Sequence, residues 1–268
     1  MAIMPFVRVS SAAMSDERDR RWVDTMPAAY AAGLEAAVFA PFAAELAGRT
    51  GGARRVLEVA AGTGVVTRAL LDAGCEVVAT DLNPAMVALG AQREPRARWA
   101  QADATALPDE EFDLVVCSFG VMFLPRRPAA YAAARRAGGR FLFTTWDAVD
   151  THAFAAALVH GLDAAFPGDP PRFVSAVPHG YTDPDRVRKD LAEAGFADVS
   201  VERVVLTGTA PSAATVARGF CLGTPLRQQI LERGELEEAV DVVAGVMTAE
   251  LGEGEVSGAM AAYVVDAR

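Results

Sequence analysis

Arg55-Val56-Leu57-Glu58-Val59-Ala60, followed by Ala61-Gly62-Thr63-Gly64 and a helical pattern through Leu71, reads as strand, sharp turn and helix. Small residues at 60–64 let the backbone bend tightly and let a ligand approach it closely, as a nucleotide site requires. Glu58 stands at the carboxyl end of the strand, where open α/β sheets bind ligands. The dinucleotide spacing GxGxxG fails here, because Thr67 occupies the place of the third glycine. A pyrophosphate would gain from the helix N-terminus but be repelled by Glu58. An ammonium or sulfonium would be attracted, so the turn predicts a cationic ligand and disfavours NAD.

Outward from this turn the chain alternates. Strand patterns fall at 76–80, 98–100, 112–118 and 140–146, with helices from Pro84 to about Arg93 and around 128–136. Strands alternating with helices imply βαβ units, a mostly parallel sheet and right-handed crossovers. Further strands at 199–206 and 259–265 bring the count to seven. The expected fold class is therefore α/β: a Rossmann-like, mostly parallel seven-stranded sheet with helices on both faces and helical lid insertions. Upstream, Trp22, Met26, Tyr30, Leu34, Val38, Phe42 and Leu46 recur at helical spacing, and Pro27 and Pro41 are expected to divide the stretch into short helices.

The rhythm predicts one domain over 1–268. Residues 1–50 form an N-terminal tail and helices, and 51–148 the ligand-binding core. Stretches 149–182 and 207–254 are lid insertions, while 183–206 and 255–268 complete the sheet. Both insertions are expected to roof a pocket above Ser118–Gly120.

The net charge of −10 repels nucleic-acid backbones and anionic membrane surfaces, and the arginine pairs Arg126/Arg127 and Arg135/Arg136 and the cluster Arg18/Arg20/Arg21 form no stripe. Nucleic acid is disfavoured as a partner on that ground, and none is expected. No apolar run reaches the roughly 18 residues of a membrane span, so no membrane insertion is expected. Three cysteines without CxxC spacing argue against a disulfide framework or structural zinc. A cytoplasmic location is the resulting expectation; an oligomer is possible and not readable. No His/Asp cluster has ligand spacing, so no metal site is expected.

Two acids extend the site. Asp81, about twenty residues beyond the glycine turn, can accept both ribose hydroxyls of a nucleoside; as a structural alternative, Asp81 or Asn83 could cap the helix entered at Pro84. Asp103 follows the third strand at the depth of an adenine, where its carboxylate could take the exocyclic amine and the Ala104 N–H a ring nitrogen. An ordinary turn aspartate is the alternative.

These motifs, spread over residues 56–146, resemble class I S-adenosylmethionine (SAM)-dependent methyltransferases, particularly the small-molecule branch that includes ubiquinone- and menaquinone-type enzymes. The resemblance implies SAM as cofactor and methyl transfer to a small-molecule acceptor by in-line displacement at an O, N or C nucleophile. It implies that Glu58, Ala60, Gly62 and Gly64 hold the methionine end, Asp81 the ribose, Leu82 the adenine face, and Asp103 with Ala104 the adenine edge. Ser118 and Phe119 border the methionine part and the transferable methyl. Ala60 replaces the usual first glycine of the turn, and the link before Gly138 is shorter than the family's pattern. A protein of this fold that binds SAM without transferring methyl, as a cyclisation catalyst or regulator, is the alternative.

Among groups that could take a proton from the acceptor, His160 reads as a helix-surface residue and His152 as structural. His179, in Pro178-His179-Gly180-Tyr181, is expected to present its imidazole outward into the acceptor pocket, with Tyr181 orienting the acceptor. Tyr30 and Trp22 could close over the cofactor, or pack as core.

Overall fold

The computed structural model describes residues 26–107 and 110–268. The expected tail, Arg18/Arg20/Arg21 and Trp22 lie outside the described residues. Seven strands form one sheet in the order β3-β2-β1-β4-β5-β7-β6. They are β1 (Arg55–Val59), β2 (Glu76–Asp81), β3 (Arg98–Gln101), β4 (Leu114–Ser118), β5 (Phe141–Trp146), β6 (Val199–Ala210) and β7 (Val256–Ala267). The first five pair in parallel, and β7 runs antiparallel between β5 and β6. The order reverses direction between β1 and β4, which opens a crevice at their carboxyl ends.

Alternation along the central strands builds two cores. Val56, Leu114, Val116 and Leu142 face α1 (Met26–Gly48) and α2 (Val65–Asp72), packing on Leu46, Val66 and Leu70. Their neighbours Leu57, Val59, Val115, Cys117, Phe141 and Phe143 point the other way. There they meet Tyr131 of α4 (Arg127–Gly138) and Val187 and Leu191 of α7 (Pro184–Glu193), while α3 (Pro84–Arg93) links β2 to β3. Period-two burial on both faces is what a sheet covered by helices on each side demands. All three cysteines are buried and free.

The N-terminal helix departs from the expectation. Pro41 does not break it: α1 runs for 23 residues, with a π-helical stretch from Ala31 to Phe39. At the handover the Ala40 N–H donates to the Glu35 carbonyl, five residues back, and Pro41, which has no N–H, enters the next helical turn at its start. The joined helix is long and apolar enough to cross a bilayer by length and composition. Leu34, Val38, Phe42 and Leu46 are instead wholly buried within the protein.

The insertions are helical, as expected. The first holds α5 (Ala153–Ala165) and the short α6 (Phe173–Ala176); the second holds α8 (Ala213–Gly223), α9 (Leu226–Leu231) and α10 (Leu236–Leu251). Helix α10 packs against both α5 and α8, so the two insertions form one layer. Helix α8 lies against the N-terminal half of α1, where a methyl added at Gly33 would come within 2.4 Å of the Gly219 Cα. The first part of α1, not an insertion, is therefore the segment that reaches the crevice.

Candidate functional site

A cleft opens at the carboxyl ends of β1 and β4, lined by Tyr30, Phe39, Glu58, Ser118 and the run from Ala60 to Thr63, with Val65 and Val66. The fold makes this place before any side chain is considered, because β1 and β4 send their connections in opposite directions. The turn that follows β1 is strained at Ala60, whose φ of +54° lies in the left-handed region that favours glycine. Gly62 and Gly64 also have positive φ, and Gly64 leads into α2.

Asp81 ties the turn to the neighbouring strand. One carboxylate oxygen accepts the Gly62 N–H at 2.8 Å and the other accepts the Asn83 N–H at 2.9 Å. The helix cap is Asn83, which accepts from the Ala85 N–H at 2.8 Å, so Asp81 is not the cap. Burial raises the pKa of Asp81, opposed by the hydrogen bonds from Asn83 and Gly62. Each oxygen keeps a further lone pair for a ligand hydroxyl. Beside it, Leu82 exposes 41% of its surface, an uncovered apolar side chain.

Glu58 is 1% exposed and accepts a hydrogen bond from the Thr67 hydroxyl at 2.5 Å. Burial pushes its pKa up to about 8, partly offset by that bond. Thr67, which excludes the dinucleotide spacing, thus anchors the acid in the floor of the cleft. Asp103 accepts both the Thr105 N–H and hydroxyl at 2.7 Å through a single oxygen, the turn aspartate anticipated as the alternative; Ala104 lies in that turn. Its second oxygen has no partner among the described residues.

Ser118 lines the cleft, and its Oγ lies 3.3 Å from Thr144 Oγ1, which accepts the Phe119 N–H at 3.0 Å. Phe119, with φ +48°, turns inward and stacks on Trp146 with ring centroids 3.7 Å apart. It borders the cleft from behind and does not line it.

Sequence reasoning missed Glu35. This buried acid of α1 takes a bidentate bond from Arg93 of α3 and the hydroxyl of Thr63 in the turn. It locks α1 over the cleft, with Tyr30 stacked on Phe39 at 5.0 Å. A lone acid at the buried spacing of an apolar helix was the available signal.

The expectation for the segment 178–181 needs correction. His179 is 9% exposed, and its Nδ1 lies 2.7 Å from the Asp147 carbonyl, so the ring points inward. The His179 N–H returns to the Val174 carbonyl at 3.1 Å, which folds the turn back onto the protein. Tyr181 is buried in a separate network: it donates to Asp190 at 2.9 Å, receives the Tyr131 hydroxyl at 3.4 Å, and carries the Arg127 guanidinium 4.2 Å above its ring. Neither residue lines the cleft. His160 is on the surface beside Glu250, and His152 caps α5 by accepting the Ala155 N–H at 3.3 Å.

A mostly parallel sheet whose last strand, β7, is reversed, with a cleft holding a buried acid at the β1/β4 switch, is the class I methyltransferase architecture. A family model described as a methyltransferase domain matches residues 56–138. The demethylmenaquinone methyltransferase of Renibacterium salmoninarum is 33% identical over 162 residues, 55% of this chain and 68% of that protein. A protein of the same name from Mycobacterium bovis is 37% identical over 139 residues, spanning 50% of this chain and 58% of its own length. The structure of phosphoethanolamine N-methyltransferase 2 from Haemonchus contortus shares the fold, with a TM-score of 0.59 at 18% identity over 98% of this chain and 61% of that one. The chain belongs to the class I SAM-dependent methyltransferases, on the menaquinone/ubiquinone-like branch, and SAM is the family's cofactor.

Proposed function

We propose that this chain binds SAM in the β1/β4 cleft and transfers its methyl to a small, mainly apolar acceptor. The observation that carries this reading is the convergence of Glu58 and Ser118 on one cleft whose glycine turn is held by Asp81 through the Gly62 N–H. Asp81, already holding Gly62 and Asn83, takes the ribose hydroxyls with its remaining lone pairs. Leu82 covers the adenine face, and the free oxygen of Asp103 takes the exocyclic amine beside the Ala104 N–H. The turn from Ala60 to Gly64 approaches the methionine part, and Glu58 supplies negative charge for its ammonium. Tyr30 closes the cleft from α1.

When bound, SAM supplies an already activated methyl on a sulfonium, so the protein's task is alignment and exclusion of water. Orientation of this kind contributes on the order of 7–11 kcal/mol in favourable cases. The helical layer formed by 149–182 and 207–254 backs α1 and excludes solvent from the acceptor side. The chain is proposed to act in the cytoplasm, where its three free cysteines suit reducing conditions.

Calorimetry with purified protein tests the reading. SAM and S-adenosylhomocysteine bind and raise the melting temperature, while NAD does neither. Absence of SAM binding, or preference for NAD, overturns it. Conversion of SAM to S-adenosylhomocysteine only in the presence of an acceptor separates methyl transfer from mere binding.

A further inference from the structure

The cleft between the carboxyl ends of β1 and β4 is shut in this structure. It leaves about 30 Å³ of free volume. That is room for about two water molecules and far short of the methionine part of SAM. Its floor and sides are strand ends, the start of α2 and the turn from Ala60 to Thr63, which the sheet and Asp81 hold in place. The roof is Tyr30 and Phe39, both carried by α1 and stacked on each other at 5.0 Å. Only the roof can give way without breaking the sheet. Beside Asp81, in contrast, Leu82 stays 41% exposed, so the adenine side of the site is open while the methionine side is closed.

The roof rests on two backbone contacts and one polar tie. At Ala37, α1 lies on β6, where a methyl added at Gly208 would strike the Ala37 carbonyl oxygen. Nearer its start α1 lies on α8, where methyls added at Gly219 or Gly223 would strike the backbone of Gly33 or Tyr30. Glycine permits such close approach but adds no directional bond. The polar tie falls between the two supports: Glu35 takes the Arg93 guanidinium of α3, one bond at 2.7 Å, and the Thr63 hydroxyl of the turn. Both ends of this ion pair regain water when α1 lifts, so the tie resists opening without preventing it. Gly33, Glu35 and Ala37 all fall within the π-helical stretch from Ala31 to Phe39. Such pairing is rare and occurs mostly at functional sites. A bend within it would swing the start of α1 together with α8, while the part from Ala37 to Gly48 stays on β6 and the sheet.

We propose that the first half of α1 is a gate over the methionine end of the cofactor site, hinged in the π-helical stretch and latched by Glu35 to Arg93 and Thr63. The chain then takes up its cofactor in two steps: docking at the open side around Asp81 and Leu82, followed by opening and reclosure of the gate. The proposal rests on the SAM-binding reading above and adds how the site is filled. Thr63 belongs to the turn that meets the cofactor, so the latch serves the filled cleft as well as the empty one. Its loss speeds entry only until the empty gate already stands open, whereas release is speeded by the full weakening of closure.

Stopped-flow mixing with S-adenosylhomocysteine, read by tryptophan fluorescence, tests the gate. Trp146 lies 6.4 Å from Phe39, and Trp99 packs beside Gly64 of the turn, so both report on the cleft. In the parent protein the observed rate should rise with ligand concentration and level off at the rate of opening. Glu35→Gln should raise that plateau at least threefold and speed release at least thirtyfold. Arg93→Lys, which keeps the charge and loses the planar fork, should fall between the two. Hydrogen exchange on the parent needs no variant to fold: ligand should slow the amides of 28–36 at least tenfold and leave those of 42–48 unchanged. A rate that stays linear in concentration, a plateau unmoved by Glu35→Gln, or exchange slowed equally along α1 would overturn the gate. Calorimetry showing no binding of S-adenosylhomocysteine would instead overturn the cofactor reading beneath it.

Discussion

Thr67 on α2 donates its hydroxyl to Glu58 on β1 at 2.5 Å, and both side chains are buried. The bond offsets only part of the desolvation that raises the Glu58 pKa to about 8. An unfolded glutamate titrates near 4.5, so between that value and about 8 the folded state holds a proton that the unfolded state has lost. Stability of the ligand-free protein should therefore fall as pH rises through this window, and Glu58→Gln should flatten the slope and raise the melting temperature at pH 8. Thermal scans from pH 5 to 8 check this; parallel profiles for parent and variant would refute it.

If SAM binds as proposed, the same acid should couple proton release to cofactor binding. A cationic ligand favours the carboxylate and lowers its pKa, so SAM should expel a proton on binding below pH 8 and bind more tightly as pH rises toward that value. Calorimetry in buffers of different ionisation enthalpy measures the proton directly. Glu58→Gln should bind without releasing it, and release that survives the substitution would assign the proton to another group.

Asp81, proposed above to bind the ribose, also serves the fold, because it holds the backbone amides of Gly62 and Asn83. Asp81→Ala should cost about 1–3 kcal/mol of ligand-free stability and abolish measurable SAM binding at micromolar concentrations. Asp81→Asn should recover part of the stability and little of the affinity. Denaturant melts paired with calorimetry separate the two losses.

Ala60 holds a left-handed conformation at φ +54°. Ala60→Gly should relieve strain of roughly 1–2 kcal/mol, less about 0.5–1 kcal/mol for the extra freedom of the unfolded chain. A rise in melting temperature of up to about 4 °C with unchanged SAM affinity is expected. A fall would show that the Ala60 methyl contributes packing that outweighs the strain.

Glu35 joins α1 to Arg93 and Thr63. Glu35→Gln should weaken SAM binding about tenfold or more by loosening Tyr30 and Phe39 over the cleft, and Arg93→Ala should do the same. The double variant should be little worse than either single one, the mark of a coupled pair. Additive losses would show that the two residues act separately.

The sequence by itself determined the alternation of strands and helices, the mostly parallel seven-stranded sheet and the acids at its carboxyl edge. Period-two and period-3.6 patterns are local, and the spacing from the glycine turn to Asp81 follows from one βαβ unit. Only tertiary structure decided the rest. The continuity of α1 through Pro41 depends on a π-helical stretch that no local proline rule anticipates. Thr67 looked like a failed glycine until α2 folded back and set its hydroxyl on Glu58. Glu35 finds Arg93 58 residues away. The inward turn of His179 depends on the Asp147 carbonyl 32 residues before it. Such partners meet because the whole chain buries its apolar faces, and a hydrogen bond between distant residues leaves no periodicity in the sequence from which it could be read.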